Sequence, residues 1–154
     1  MIAIIDYGVG NLFSLSSSLR MIGADAVITG DPEVIKGRER LILPGVGAFG
    51  DAMEKLKADG LDRLIKEEAA GGKPLLGICL GMQLLFEKSY EFEECDGLGL
   101  ISGKVEKMGK PGLIIPHMGW NKLEYGIECP ILHGIGEDAY VYFVHSYQAV
   151  TDEK

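Results

Sequence analysis

The sequence has 154 residues, of which 47% are hydrophobic and 25% charged, and this is the size and composition of one ordinary globular domain. A net charge of -8 excludes a general nucleic-acid or anionic-membrane surface, because attraction to phosphates needs the opposite sign. No apolar stretch reaches the roughly 18 residues of a membrane span, and an aspartate follows the N-terminus too soon for a signal peptide. We therefore expect a cytoplasmic protein. Three cysteines without C-x-x-C spacing predict neither a disulfide framework nor a zinc site.

Short apolar runs alternate with helical periodicity through residue 89, a pattern typical of βαβ units and a parallel sheet. Asn11 is placed to cap a helix that ends at Gly23. An apolar helical stripe begins at Phe49 and continues to Ile65, and a further helix-forming run covers residues 82–86. The predicted strands of this half are 2–5, 26–29, 41–43 and 75–79.

Glycine, proline and asparagine divide the second half into shorter segments, which predict an antiparallel extension of the sheet. The strands expected here are 98–101, 113–115, 120–123 and 139–147, the last continuing to Val150. We therefore predict an α/β fold, with a mixed, mainly parallel, flavodoxin-like sheet and helices on both faces, in a single domain over residues 1–154. The acidic groups at Glu67-Glu68 and at Glu91, Glu93 and Glu94 are interpreted as solvated faces or loops.

The most informative segment is Gly77-Ile78-Cys79-Leu80-Gly81, a G-x-C-x-G between a predicted strand and a helix. Nucleophile elbows use this pattern because small flanking residues permit a strained turn that presents the side chain at the helix start. The helix N-terminus should favour the thiolate, and the amide of Leu80 should point at a developing oxyanion. The alternative is a buried structural cysteine that ends a strand.

Two glycine-rich turns follow the first and third predicted strands, at the sheet edge where open α/β folds bind ligands. Residues 45–50 spell G-x-G-x-x-G, but this is not the first βα turn and no acidic strand end follows it. Residues 8–10 do lie in the first turn, yet Phe13 stands where the fingerprint needs its third glycine. These mismatches disfavour dinucleotide binding.

The motifs together resemble the class I (triad) glutamine amidotransferases, and within them the glutaminase subunits of imidazole glycerol phosphate synthase. The resemblance runs the whole length of the chain. It rests on five separated segments, residues 6–12, 44–47, 77–83, 116–121 and 142–147.

This resemblance implies hydrolysis of glutamine to glutamate and ammonia, with Cys79 as the nucleophile and no metal or organic cofactor. The ammonia would pass to a (βα)8-barrel cyclase that makes imidazole glycerol phosphate in histidine biosynthesis. The remaining implied roles are oxyanion-binding backbone at Val46, Gly47 and Leu80, glutamine binding at Gln83, His145, Ser146 and Tyr147, and partner contact at Asn11 and Trp120.

The family completes its triad with a histidine and a glutamate in a His-Pro-Glu segment near the C-terminus, which this sequence does not contain. We therefore expect a domain truncated before that segment and inactive by itself. None of the three histidines is assigned as the missing base. His117 is predicted in a loop, His133 at a surface turn, and His145 on a strand face, where a core histidine and a glutamine-pocket residue are both open interpretations.

Trp120 is likewise open to two interpretations from the sequence, burial in the core or exposure at a partner interface.

Two other function classes also remain open. One is a different cysteine hydrolase built on a similar elbow, and the other is a non-catalytic fragment that docks a partner.

Overall fold

The computed structural model describes residues 1–109, 112, 114–124, 129–136 and 138–151. The chain divides into two compact units. The first comprises Met1–Glu106 with Ala149–Lys154, and the second comprises Lys107–Gln148.

The first unit is built on a parallel sheet of four strands, β1 (Ile2–Ile5), β2 (Ala26–Thr29), β3 (Arg40–Leu43) and β4 (Leu75–Gly77), in the order β2-β1-β3-β4. The two central strands are buried on both faces, which explains their continuous apolar sequence. The first three predicted strands are confirmed to within one residue. The fourth ends two residues earlier than predicted, because the chain turns sharply at Cys79.

Helices cover both faces of this sheet, as predicted. They are α1 (Leu12–Met21), α2 (Pro32–Lys36), α3 (Phe49–Ala58), α4 (Leu61–Ala70) and α5 (Leu80–Gln83). The strand order reverses direction after β2, so right-handed crossovers place α1 on one face and α2, α3 and α4 on the other. Asn11 caps α1 as predicted, its side-chain oxygen accepting from the amide of Ser14 at 3.2 Å.

Two helical predictions are corrected by the structure. The stripe from Phe49 to Ile65 is two helices, because Gly60 takes a left-handed conformation with φ 69° and starts α4 afresh. Helix α2 was not predicted, although Asp31 caps it and Pro32 opens it, a combination that marks a helix start.

A second sheet contains β5 (Phe86–Ser89), β6 (Cys95–Asp96), β7 (Ile101–Lys107) and β10 (Tyr147–Val150), in the order β10-β7-β5-β6. The helix predicted over 82–86 is wrong beyond Gln83. The carbonyl of Leu85 accepts from the amides of Leu100 and Ile101 at 2.8 and 3.0 Å, so tertiary pairing overrides helix propensity here. The strand expected at 98–101 begins only at Ile101.

The second unit centres on an antiparallel pair, β8 (His117–Lys122) and β9 (Tyr140–His145), with a short 3-10 helix at Pro130–Leu132. The single strand predicted over 139–150 is wrong, because a bend at Ser146 separates β9 from β10. The strand predicted at 113–115 is not formed at Ile114 and Ile115, and Leu113 lies outside the described residues. Across the described part of the chain, every helix is too short or too polar to cross a membrane.

Candidate active site

Cys79 occupies a strained turn between β4 and α5, with φ 55° and ψ -118°. Such a conformation costs a residue with a side chain on the order of 1–3 kcal/mol and persists only where the surroundings enforce it. The side chain is exposed. The structure therefore has the strand-turn-helix geometry of a nucleophile elbow, and the interpretation of Cys79 as a buried structural cysteine is wrong.

Close backbone approach explains both glycines of the elbow. A Cβ at Gly77 would lie 2.4 Å from the Cα of Met82, and one at Gly81 would lie 1.9 Å from the carbonyl oxygen of Leu43. No larger residue fits at either position without moving backbone. The sequence pattern G-x-C-x-G is thus a direct consequence of how tightly α5 sits on the end of the sheet.

The turn after β3 packs directly against this elbow. A Cβ at Gly45 would lie 2.7 Å from the amide nitrogen of Gly81 and 2.9 Å from the Cβ of Leu80. Tyr7 fixes the start of the turn, because its phenol donates to the carbonyl of Pro44 at 2.8 Å. Burial raises the pKa of Tyr7, so the phenol stays protonated and keeps donating.

The backbone amides of the elbow and of the adjoining turn differ in whether they have a hydrogen-bond acceptor. Within α5 the amide of Gly81 donates to Ile78 and those of Met82 and Gln83 donate to Cys79, at 3.0, 3.0 and 3.2 Å. By contrast, no acceptor within the described part of the chain is recorded for the amides at the three predicted oxyanion positions, Val46, Gly47 and Leu80.

An open cavity of about 410 Å³ lies beside the turn. Its walls are the glycine turn at 8–10, the turn at 46–48 and three residues of α3, namely Asp51, Ala52 and Lys55. The ammonium of Lys55 donates to the carbonyl of Gly8 at 3.4 Å. The cavity therefore joins the two glycine-rich turns that the sequence places at the carboxyl edge of the sheet.

Gln83 and Cys95 are further residues of this unit that were considered in the sequence. Gln83 is half-buried and ends α5, one turn after Cys79. Cys95 is half-buried, and its burial raises the pKa of its thiol. Cys129, in the second unit, is half-buried too, so Cys79 alone among the three cysteines is exposed.

Among the acidic residues interpreted as solvated, Glu91 forms a contact that the sequence did not predict. Glu91 is half-buried, and its carboxylate accepts from the amide of Phe49 at 2.8 Å, at the first residue of α3. The interpretation of Glu91 as a solvated loop residue is therefore wrong. Its neighbours Glu93 and Glu94 are exposed, as predicted.

The second unit holds the predicted residues His145, Ser146 and Tyr147 and brings two histidines together. The rings of His117 and His145 lie with Nδ1 and Nε2 3.2 Å apart. His117 Nε2 lies 3.0 Å from the side-chain oxygen of Asn121, and His145 Nδ1 lies 2.9 Å from the carbonyl oxygen of Tyr147. His117 is the first residue of β8, so its prediction as a loop residue is wrong.

The third histidine of the sequence, His133, also lies in this unit. His133 is exposed in the turn after the 3-10 helix, as predicted.

The described residues contain no group of three or more His, Cys, Asp or Glu side chains that could hold a metal.

Trp120 is 68% exposed, so its interpretation as a core residue is wrong. It contacts Tyr142 edge-on, with ring centroids 5.6 Å apart. The register of β8 and β9 puts five large exposed side chains on the same face of the pair, which we call the aromatic face. They are Met118, Trp120, Tyr140, Tyr142 and Val144. The alternation of these residues in the two strands could have predicted it.

Comparison with known proteins decides the family. The model of the family described as glutamine amidotransferase class-I matches residues 3–154. The chain therefore belongs to the class-I glutamine amidotransferase family. A solved structure described as a glutamine amidotransferase has the same fold, with a TM-score of 0.72 at 19% identity over 93% of this chain and 70% of that one.

More similar relatives share one name, imidazole glycerol phosphate synthase subunit HisH. The protein of Sulfurimonas denitrificans is 54% identical over 100% of this chain and 76% of its own length. Those of Bacillus cereus and Wolinella succinogenes are 52% and 51% identical over 97% of this chain and cover 71% and 75% of their own lengths. Among the class-I amidotransferases, this chain belongs with the HisH proteins.

Proposed function

We propose that this chain hydrolyses glutamine as the glutaminase subunit of imidazole glycerol phosphate synthase and supplies ammonia for histidine biosynthesis. One observation carries the proposal. The strained, exposed Cys79 lies on an elbow packed against a turn, and the amides of Val46, Gly47 and Leu80 have no acceptor among the described residues. A nucleophile beside free amides is the arrangement that acyl transfer needs.

The proposed reaction has two steps. The Cys79 thiolate attacks the amide carbon of glutamine, and the free amides bind the oxyanion of the tetrahedral intermediate. The carbon–nitrogen bond then breaks, ammonia leaves with a proton from a general acid, and a glutamyl thioester remains. Water hydrolyses the thioester to glutamate and restores the thiol. The resemblance assigns the acid–base role to the His-Pro-Glu segment, which this sequence does not contain.

Substrate binding is proposed for Gln83 and for the segment from His145 to Tyr147. In the second unit, the contact of His145 with His117 and its hydrogen bond to the carbonyl of Tyr147 fix the ring next to the bend at Ser146. A fixed, half-buried imidazole is a polar group of the kind that orients a small polar ligand, which supports the assignment.

The proposed partner is a (βα)8-barrel cyclase subunit, and the name of the relatives describes them as subunits of a synthase. The aromatic face supports a docking role, because a solvent-exposed row of aromatic and apolar side chains is typical of an interface. Trp120 lies on this face, and Asn11 is exposed at the start of α1 in the first unit. A cytoplasmic location stays a prediction of the sequence.

Covalent labelling tests the nucleophile. We expect a glutamine-analogue electrophile, such as a diazoketone, to modify Cys79 in the native protein, and excess glutamine to protect it. Peptide mass spectrometry locates the adduct, and Cys79→Ser is the matched control that should take up no label. Labelling mainly at Cys95 or Cys129 would refute the assignment.

A further inference from the structure

Two histidine rings of the second unit meet at one end of the β8–β9 pair. His117 begins β8 and His145 ends β9, and the two residues are direct partners in the antiparallel register. Their side chains therefore extend from the same face of the pair and lie close together. His117 Nδ1 and His145 Nε2 face each other at 3.2 Å. Both side chains are half-buried, and Phe143 stacks on the ring of His117.

The outer nitrogen of each ring fixes which of the two nitrogens carries the proton. His117 Nε2 lies 3.0 Å from the side-chain oxygen of Asn121, and an amide oxygen only accepts hydrogen bonds. His117 therefore carries its proton on Nε2. His145 Nδ1 lies 2.9 Å from the carbonyl oxygen of Tyr147, which also only accepts, so His145 carries its proton on Nδ1.

The two nitrogens that face each other then both present lone pairs. A neutral imidazole has one N–H group, and each ring uses it in the outer hydrogen bond. While both rings are neutral, the distance of 3.2 Å therefore separates two acceptors. Such a contact is repulsive unless the two lone pairs share a cation. The pair thus has the form of a chelating site in which both donor atoms are already oriented.

The separation of the two nitrogens suits a transition-metal ion. Zinc binds imidazole nitrogen at about 2.0–2.1 Å, and two such bonds to nitrogens 3.2 Å apart enclose an angle of about 100–106°. This angle is close to the value of about 109° in the tetrahedral coordination of zinc in proteins. Neutral imidazole is a ligand for zinc, copper and nickel, whereas magnesium and calcium prefer oxygen.

The outer hydrogen bonds are those that metal-binding histidines commonly make. A ligating histidine almost always donates its second N–H to a carboxylate, a backbone carbonyl or water, which fixes the tautomer and orients the ring. His145 donates to the backbone carbonyl of Tyr147, and His117 donates to the amide oxygen of Asn121 in the same way. The described residues add no third His, Cys, Asp or Glu ligand, so water would complete the coordination of the ion.

We propose that His117 and His145 form a two-histidine chelate for a divalent cation of the zinc type. Asn121 and the carbonyl of Tyr147 are the acceptors that orient the two rings. The inference goes beyond the proposed glutaminase function and does not depend on it, because the reaction proposed for Cys79 has no step that involves a metal.

Zinc titration of the full chain tests the site. Isothermal titration calorimetry with Zn²⁺ at about pH 8, where an ordinary imidazole is neutral, gives the Kd. We expect His117→Ala and His145→Ala each to weaken Zn²⁺ binding by at least about tenfold. Asn121→Leu should weaken it about tenfold, the lower end of the effect of losing a supporting hydrogen bond. His133→Ala is the matched control, because this exposed histidine lies outside the pair and its loss should leave the Kd unchanged.

Two spectroscopic measurements on the unsubstituted chain do not require a variant to fold. Long-range ¹⁵N–¹H NMR spectra report the tautomers, and we expect protons on Nε2 of His117 and Nδ1 of His145, with the facing nitrogens shifting when Zn²⁺ is added. Co²⁺ serves as a visible probe in place of Zn²⁺. Nitrogen ligation should give d–d bands without the near-ultraviolet band of a cobalt thiolate, which separates the pair from binding at Cys79.

Four results would overturn the proposal. The first is a chain that binds no Zn²⁺, and the second is a Kd that stays the same in both His117→Ala and His145→Ala. The third is an equal loss of binding in His133→Ala, which would make the effect unspecific. The fourth is a proton on either facing nitrogen of the metal-free chain, because the two rings would then be hydrogen-bonded to each other and offer no chelate.

Discussion

Cys79 is held in its strained conformation by the two small residues beside it. Gly81 lets α5 approach the backbone of β3, and Gly77 lets α5 approach β4, so closely that neither position has room for a Cβ. The strain on the cysteine is therefore stored locally and balanced by packing at the end of the sheet. The elbow could be predicted from sequence because all of its requirements lie within five consecutive residues.

A pair of glycine substitutions tests this packing. We expect Gly81→Ala to destabilise the fold by about 1–3 kcal/mol, because the new methyl group would overlap the carbonyl oxygen of Leu43. Gly50→Ala is the matched control. It lies in α3 with no neighbour within 4 Å, so alanine should be neutral or stabilise by up to about 1 kcal/mol. Midpoints of urea unfolding give both values, and equal destabilisation of the two variants would contradict the steric account.

Burial of Cys95 has a consequence that depends on pH. Because burial raises the pKa of the Cys95 thiol, less of it is thiolate at a given pH than for an ordinary exposed thiol. We expect its alkylation by iodoacetamide in the native protein to begin only at more alkaline pH than in the urea-unfolded chain. A native profile that overlays the unfolded one would contradict the effect of burial.

The role of Glu91 could not be predicted from its neighbours in the sequence. Three acidic residues within four positions are ordinarily a solvated loop, and Glu93 and Glu94 are exposed. Glu91 differs only because folding brings it to an amide 42 residues away. Long-range contacts of this kind depend on the fold and leave no local pattern.

At the scale of elements, β8 and β9 present two chemically different faces. His117, Asn121, Phe143 and His145 share one face, where the two histidine rings and the side chain of Asn121 lie within hydrogen-bonding distance. The aromatic face lies on the other side of the pair and is exposed. The sequence analysis identified Trp120 there by resemblance alone. Met118 was not predicted on this face, because the first strand was predicted to begin at Trp120 and it begins at His117. Tyr142 lay within the predicted strand 139–147, but the alternation was not followed across the pair.

Trp120→Ala tests the docking role of the aromatic face. We expect association with the cyclase subunit to weaken by more than about 1 kcal/mol, since a large exposed aromatic at the centre of such a face is a typical energetic anchor. The Kd from titration calorimetry measures the effect. Phe92→Ala removes a still more exposed aromatic from the first unit and should leave the Kd unchanged. Equal Kd values for Trp120→Ala and the unsubstituted chain would place the interface elsewhere.

Helices and strands were predicted best where the segments that pair with each other are close together in the sequence. The βαβ units up to β4 follow from apolar runs and caps, and their four strands are confirmed with small shifts at the ends, although α2 was missed and the stripe from Phe49 is two helices. The segment from Leu84 to Phe86 was predicted wrongly, because its carbonyls accept from the amides of residues 98–101 and not from a following helical turn. Helix propensity is a weak guide where such pairing competes with it.

For the whole molecule, the fold class and the family follow from the sequence, while the assembly of a working site does not. The parallel sheet places the elbow and the glycine turns at one edge of the first unit, as open α/β folds do. The residues proposed to bind glutamine are divided between the two units, with Gln83 in the first and His145, Ser146 and Tyr147 in the second. No local pattern in the sequence specifies how groups so far apart in the chain cooperate.

We propose that Cys79 hydrolyses glutamine with a general base from the His-Pro-Glu segment of the family. Release of glutamate in the presence of the cyclase subunit tests it, using the 154-residue chain, the same chain extended through the His-Pro-Glu segment of a relative, and the extended chain with Cys79→Ala. We predict turnover by the extended chain, none by Cys79→Ala, and a rate at least about 10³-fold lower for the 154-residue chain, because loss of a triad member costs several powers of ten. Equal turnover with and without the segment would instead make His117, His133 or His145 the base, and turnover by Cys79→Ala would show that Cys79 is not the nucleophile.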